Sequence, residues 1–156
     1  MPPHVTANSG VDALVHAAES YISKNASVAT EPFAIRAIEL IGEGLKPAYA
    51  DGDDLDAREV MQIGATMAMV STMNAMLGLC HAMAMPLCAL YHIPHGQACG
   101  LVLPAALEFN AEVQDAVGFP LQHFLGETVF RNSIAGHSPQ FGHHVVYLDA
   151  VSQPSE

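Results

Sequence analysis

Basic residues are scarce in this chain: five Lys and Arg stand against sixteen Asp and Glu, for a formal net charge of −11. Nucleic-acid binding needs clustered cations to meet phosphates, and five scattered ones form no such surface, so nucleic acid and acidic partners are excluded. Tryptophan is absent, and Cys80, Cys88 and Cys99 are the only cysteines. Odd in number and without a Cys-x-x-Cys pair, they offer neither a disulfide framework nor a thiolate zinc knuckle, and they fit reduced thiols in a cytoplasmic protein. The opening Met1-Pro-Pro-His-Val-Thr6 lacks the basic region and apolar core of a signal peptide.

What is abundant is apolar. Of 156 residues 51% are hydrophobic and 13% charged, with eight methionines. That length suits about one domain, and the surplus suggests that part of its surface is covered by a partner or a second copy. The stretch Val60 to Cys80 is uncharged. Its length permits a membrane span, but Gln62, Thr66, Ser71, Thr72 and Asn74 interrupt it and no basic flank precedes it, so a buried core helix with no membrane contact is expected.

The patterning is helical. Asn8-Ser9-Gly10 reads as capping chemistry before a helix from Val11 to about Ser23, carried by Val11, Leu14, Val15, Ala18 and Ile22. Thr30 reads as the cap of a second helix that Gly42 and Gly44 loosen, followed by a solvated turn from Pro47 to Asp54. The Asp51-Gly-Asp-Asp54 cluster lacks the closing ligand of an EF-hand loop and reads as turn and capping residues rather than a calcium site. A long methionine-rich helix spans Leu55 to Leu77, and two more follow, His81 to Tyr91 with Pro86 inside it and Gln97 to Asn110. The expected fold is all-α over residues 1–111, with a loop-rich, divergent tail over 112–156 and a short strand near 145–148.

Four polar residues stand out against this background. Asp12 and His16 are four apart, so both project from one face of the first helix, while His81 and His95 lie fourteen apart around a proline turn. Three imidazoles and a carboxylate suit a borderline cation such as Fe(II) or Zn(II) better than calcium or magnesium, and leave a coordination position for a substrate oxygen. Each residue alone has a plainer role: a dipole-facing aspartate, a helix-face imidazole, a satisfied core histidine. Spacing does not establish that the two halves meet in space.

The run Leu79-Cys-His81-Ala-Met-Ala-Met85-Pro-Leu-Cys-Ala-Leu-Tyr91-His92-Ile-Pro94-His95-Gly96, continuing through Leu101-Val-Leu-Pro104 to Glu108-Phe-Asn110, resembles the signature of the iron-containing alcohol dehydrogenases. The segment Pro2 to Ser23, with Asp12-Ala-Leu-Val-His16, is similar to that family's other metal-binding segment, and Ala57-Arg-Glu-Val-Met61 and Asn74-Ala-Met-Leu-Gly78 match between the two. The resemblance covers about residues 1–111. It implies the family's helical C-terminal domain, with Asp12, His16, His81 and His95 holding one Fe(II), in some members Zn(II). It also implies hydride exchange between a small alcohol or carbonyl substrate and NAD or NADP.

Three departures qualify what the resemblance implies. The family's N-terminal α/β nucleotide-binding domain has no counterpart in these residues, so dinucleotide use is expected to depend on a partner nucleotide-binding domain. Met85 stands where family members usually carry a second histidine, and methionine relays no proton. His92 is a candidate to replace that histidine as proton carrier, although its place beside a proline turn favours a surface-turn residue. The third departure is the segment from about Glu112 onward, which does not follow the family's remaining helices. The reading is therefore a partial, metal-dependent alcohol dehydrogenase. The alternatives are a catalytically silent metal-binding helical module and a small membrane protein.

Overall fold

The computed structural model describes residues 1–115, and the expected strand near 145–148 lies outside them. Every regular element among the described residues is a helix: α1 (Pro3–Ile22), α2 (Glu31–Ala50), α3 (Leu55–Ala75), α4 (Leu79–Tyr91) and α5 (His95–Asp115). The chain divides into compact units of residues 1–103 and 104–156, with the boundary inside α5 at Pro104. The site described below lies wholly within the first unit.

α1 begins eight residues earlier than the capping signals at Asn8-Ser9-Gly10 suggest. Pro3 occupies the first turn, where its missing N–H is no loss and its fixed φ is already helical. Ser9, expected as a cap, instead returns its hydroxyl to Val5 O at 2.7 Å. Gly10 is a packing residue: a Cβ there would lie 2.4 Å from Leu45 Cδ1 and 2.9 Å from Met61 Cε, so its absence lets α2 and α3 close on α1.

α2 likewise runs further than expected, through Gly42, Gly44 and Pro47 to Ala50, which shortens the following turn to Asp51–Asp54. Gly44 is buried against Val60 and Met61, so tertiary contact overrides its weak helix propensity. Thr30 sits at the N-cap, but its hydroxyl turns to the Ser27 backbone rather than to the helix. The aspartates of the turn act locally as expected: Asp54 accepts from Ala57 N at 3.0 Å as the α3 cap, and Asp51 accepts from Asp53 N at 2.9 Å.

Small residues dominate the core. Ala17, Ala34, Ala37, Ala48, Ala68 and Ala75 are buried with Val15, Leu40, Ile41 and Leu45 between α1, α2 and α3. Polar ties reinforce the contacts of α1. Arg58 of α3 donates to Thr6 Oγ1 at 2.9 Å and to Gly52 O at 3.0 Å, and Thr72 Oγ1 donates to His16 O at 3.1 Å. Ser23 Oγ donates to Ala75 O, holding the end of α1 against the end of α3.

The apolar surplus emerges on α3 and α4, where Met69, Val70, Met73, Met83, Leu90 and Tyr91 are exposed. Among the described residues no single helix is long and apolar enough to cross a membrane. α3 and α4 pass that test only as a pair bent by 106°. The bend follows Met76, whose φ of 71° turns the chain out of α3.

Candidate metal centre

Helical repetition places Asp12, His16 and Glu19 on one face of α1, at i, i+4 and i+7. His81 lies in the first turn of α4 and His95 opens α5, so one helix face and two helix starts supply the polar groups. The approach of α5 is set by Gly96. A Cβ there would stand 1.8 Å from Asn8 O, so the α5 backbone reaches α1 only because residue 96 has no side chain.

Asp12 is the centre of the arrangement. Its Oδ1 lies 3.6 Å from His81 Nε2 and 3.4 Å from His95 Nε2, and its Oδ2 lies 3.8 Å from His16 Nε2. The His16 and His81 rings meet edge to face with centroids 4.5 Å apart, and the His81 and His95 centroids are 5.4 Å apart. Asp12, His81 and His95 of the expected residues thus converge, while His16 stands outside the closest group and approaches it through Asp12 Oδ2. His92 does not join them: it is an exposed residue in the left-handed conformation that ends α4.

These separations are those of ligands rather than of hydrogen bonds. Two donors about 2.1 Å from one tetrahedral ion lie about 3.4 Å apart, close to the Asp12 distances, which stand at or beyond the long end of the hydrogen-bond range. Consistent with that, Asp12 Oδ1, His81 Nε2 and His16 Nδ1 are buried without a hydrogen-bond partner, a costly arrangement unless a cation satisfies at least the converging pair. Asp12, His81, His95 and Cys99 each place a donor atom within 4.8 Å of the others. The residues present therefore fit a single divalent metal.

Two neighbours were not anticipated from the sequence. Cys99, one turn after His95, brings its Sγ to 3.6 Å from His95 Nε2, while Cys88 Sγ lies 3.6 Å from His95 Nδ1. Burial, helped by the nearby Asp12 carboxylate, pushes the Cys99 thiol up to about 12, so without a metal it is a protonated, packing thiol. Glu19 is the other. Only 2% exposed, it accepts from Gly78 N at 3.0 Å and Cys80 N at 2.5 Å, and its Oε2 lies 2.6 Å from His81 Nδ1. The seven-residue offset from Asp12 was the available signal, since it puts Glu19 on the ligand face.

The electrostatics follow from this crowding. Burial alone would raise the Asp12 and Glu19 carboxyls, but contact with His81 overcomes it and holds both below their ordinary values. Burial works to lower His81 as well. Asp12 on one side of the ring and Glu19 on the other reverse that, raising His81 to about 9 in the metal-free protein. Burial lowers His16, which the charge of Asp12 only partly offsets.

Comparison with known proteins gives a consistent family. Residues 6–133 match the C-terminal region of the Fe-containing alcohol dehydrogenase family. A probable alcohol dehydrogenase EutG of Salmonella typhimurium is 49% identical over 113 residues, covering 72% of this chain and 29% of that protein. The 1,3-propanediol dehydrogenase of Citrobacter freundii is 42% identical, covering 81% and 33% respectively. Among solved structures, an iron-containing alcohol dehydrogenase from Thermococcus thioreducens superposes with a TM-score of 0.67 at 42% identity over 72% of this chain and 29% of that one. A 1,3-propanediol oxidoreductase gives a TM-score of 0.71 at 36% identity over 97% and 36%. The chain thus spans about a third of the length of the relatives it matches.

Proposed function

The chain belongs to the iron-containing alcohol dehydrogenase family, and from that membership we propose that it serves as the metal-holding part of an oxidoreductase. The reaction interconverts an alcohol with an aldehyde or ketone at the expense of NAD or NADP. The observation that carries this reading is the convergence of His16, His81 and His95 on Asp12, with buried Asp12 and His81 donor atoms left without hydrogen bonds.

Asp12, His16, His81 and His95 are the proposed ligands. A bound Fe(II) or Zn(II) supplies Lewis-acid polarisation of the substrate oxygen. The ionised Asp12 contributes the negative charge that a divalent cation requires, and the neutral Nε2 atoms contribute lone pairs without adding charge. His95, with its side chain 40% exposed, marks the open side from which a small alcohol or carbonyl reaches the centre. The closed side, formed by Glu19 and His81, keeps water from the ligands that need a fixed orientation.

Proton release is the step for which the cluster itself supplies no group. Met85, four residues after His81, is exposed and carries no exchangeable proton. We assign this role to His92, the exposed imidazole three residues before His95. The dinucleotide is proposed to be held by a nucleotide-binding domain acting together with this one.

Activity assays test the reading. The full chain loaded with Fe(II) or Zn(II) is mixed with a short diol or primary alcohol and NAD or NADP, with and without a family nucleotide-binding domain. NAD(P)H formation that requires both metal and Asp12 supports the dehydrogenase reading. One metal per chain with no turnover under either condition overturns it in favour of a silent metal-binding module. Loss of the pH-dependent rate in His92→Ala, with metal content unchanged, tests the proton carrier separately.

A further inference from the structure

Glu19 is a carboxylate that the proposed ligand set does not use, and its burial demands an explanation. An ionised side chain only 2% exposed persists where enough donors satisfy it. Three groups do so here, all reaching across from the start of α4 some sixty residues away in sequence. Gly78 N and Cys80 N donate to separate oxygens, and His81 Nδ1 lies against Oε2.

The approach is prepared by the backbone. Met76, at φ 71°, sends the chain out of α3, and Gly78 then meets the carboxylate so closely that a Cβ would lie 3.0 Å from Glu19 Oε1. Both backbone N–H groups belong to the free donors at a helix start, where the dipole favours an anion. Glu19 thus fastens the first turn of α4 to α1 and touches His81 with the same oxygen that accepts from Gly78.

That contact has a chemical consequence for the ring. A carboxylate only accepts hydrogen bonds, so a 2.6 Å contact places a proton on His81 Nδ1. With Nδ1 committed, Nε2 is the only atom of His81 able to present a lone pair, and Nε2 is the buried atom that faces Asp12. Resting on the metal-site reading above, we propose that Glu19 is a positioning residue of the metal centre. It holds His81 with its proton on Nδ1 and its Nε2 lone pair directed at the cation, while locking α4 onto α1.

Glutamine is the informative substitution. Its single amide oxygen cannot serve Gly78, Cys80 and His81 as the two carboxylate oxygens do, and its NH2 either opposes a backbone N–H or donates to His81 Nδ1. The second arrangement moves the ring proton to Nε2, where it blocks ligation.

The test uses the full chain, Zn(II) as a diamagnetic probe, and 15N-labelled histidine. In Zn(II)-loaded wild type, two-bond 1H–15N spectra are expected to show His81 protonated at Nδ1 and not at Nε2. Glu19→Gln, with its helical circular dichroism retained, is expected to bind Zn(II) about 10–100-fold more weakly, with Glu19→Asp intermediate. Wild type showing Nε2–H on His81 in the Zn(II) form overturns the proposal even if Glu19→Gln fails to fold. Equal Zn(II) affinity in wild type and a folded Glu19→Gln overturns it while leaving the metal site standing. Failure of wild type to take up one Zn(II) overturns both.

Discussion

The two sides of α1 are built from different chemistry. One side presents Gly10 to Leu45 of α2 and Met61 of α3, with Ala7 and Ala18 also buried, so that small residues allow the close approach of these helices. The other presents Asp12, His16 and Glu19 to the starts of α4 and α5, and there the neighbours are imidazoles, backbone N–H groups and thiols. Among the described residues the apolar side leaves no buried side-chain nitrogen or oxygen without a hydrogen-bond partner. The polar side buries donor atoms that remain unpaired, which makes it costly unless a cation is held. The capacity to bind metal resides on the second side, and a change confined to the first should leave it intact.

The largest effect is expected where the polar side depends on backbone contact. Gly96→Ala drives a Cβ to 1.8 Å from Asn8 O, and neither partner is a side chain that can swing away. A loss of more than about 3 kcal/mol in denaturant unfolding is expected, together with impaired metal uptake because His95 is displaced. Gly10→Ala strains the apolar side instead, against the flexible ends of Leu45 and Met61, and is expected to cost about 1–3 kcal/mol. In this variant the extra stability conferred by Zn(II) should match that of wild type, about 2.7 kcal/mol at a free concentration one hundred times Kd. A Zn(II) increment that shrinks in Gly10→Ala would show that the two sides are not independent.

Acidity separates the sides without mutation. In the metal-free protein His81 is raised from 6.5 to about 9, so its contribution to stability is complete below about pH 6.5 and is lost as pH rises through about 9. Asp12 and Glu19 are lowered, so theirs is present above their ordinary values of 3.8 and 4.5 and is lost as pH falls through the still lower folded values. His16 is lowered from 6.5, so its contribution is complete above that value and declines below it, and thermal unfolding of the metal-free chain should show greatest stability near pH 6.5. Glu19→Gln should flatten the alkaline limb. The smallest effect is expected at Met85, which is exposed: Met85→His should change stability by no more than about 0.5 kcal/mol, read by denaturant midpoint.

The polar side was more legible in the sequence than the apolar one. Asp12 and His16 announce themselves by helical spacing, and the long family-like run from Leu79 to Gly96 carries His81 and His95, the other two proposed ligands. Glu19 was not legible as a buried group, because a glutamate on an amphipathic helix ordinarily faces solvent and all its partners come from distant chain positions. Cys99 was overlooked for a similar reason: one helical turn from His95, among apolar neighbours, it reads as a core thiol. The start of α1 was misplaced because Asn8-Ser9-Gly10 has the composition of a cap. Gly10 is there because Leu45 and Met61 need the space, a tertiary requirement that local pattern does not reveal. The same holds for Gly44, read as a helix end and found buried in the middle of one.

The central claim is that α1, α4 and α5 together hold one divalent metal through Asp12, His16, His81 and His95. Titration of the full metal-free chain with Zn(II), followed by elemental analysis after gel filtration, tests it most directly. One tightly held ion per chain is predicted in wild type, with none in Asp12→Ala or His81→Ala that retain their helical spectrum. Retention of one ion per chain in both folded variants, or its absence from wild type, would contradict the claim.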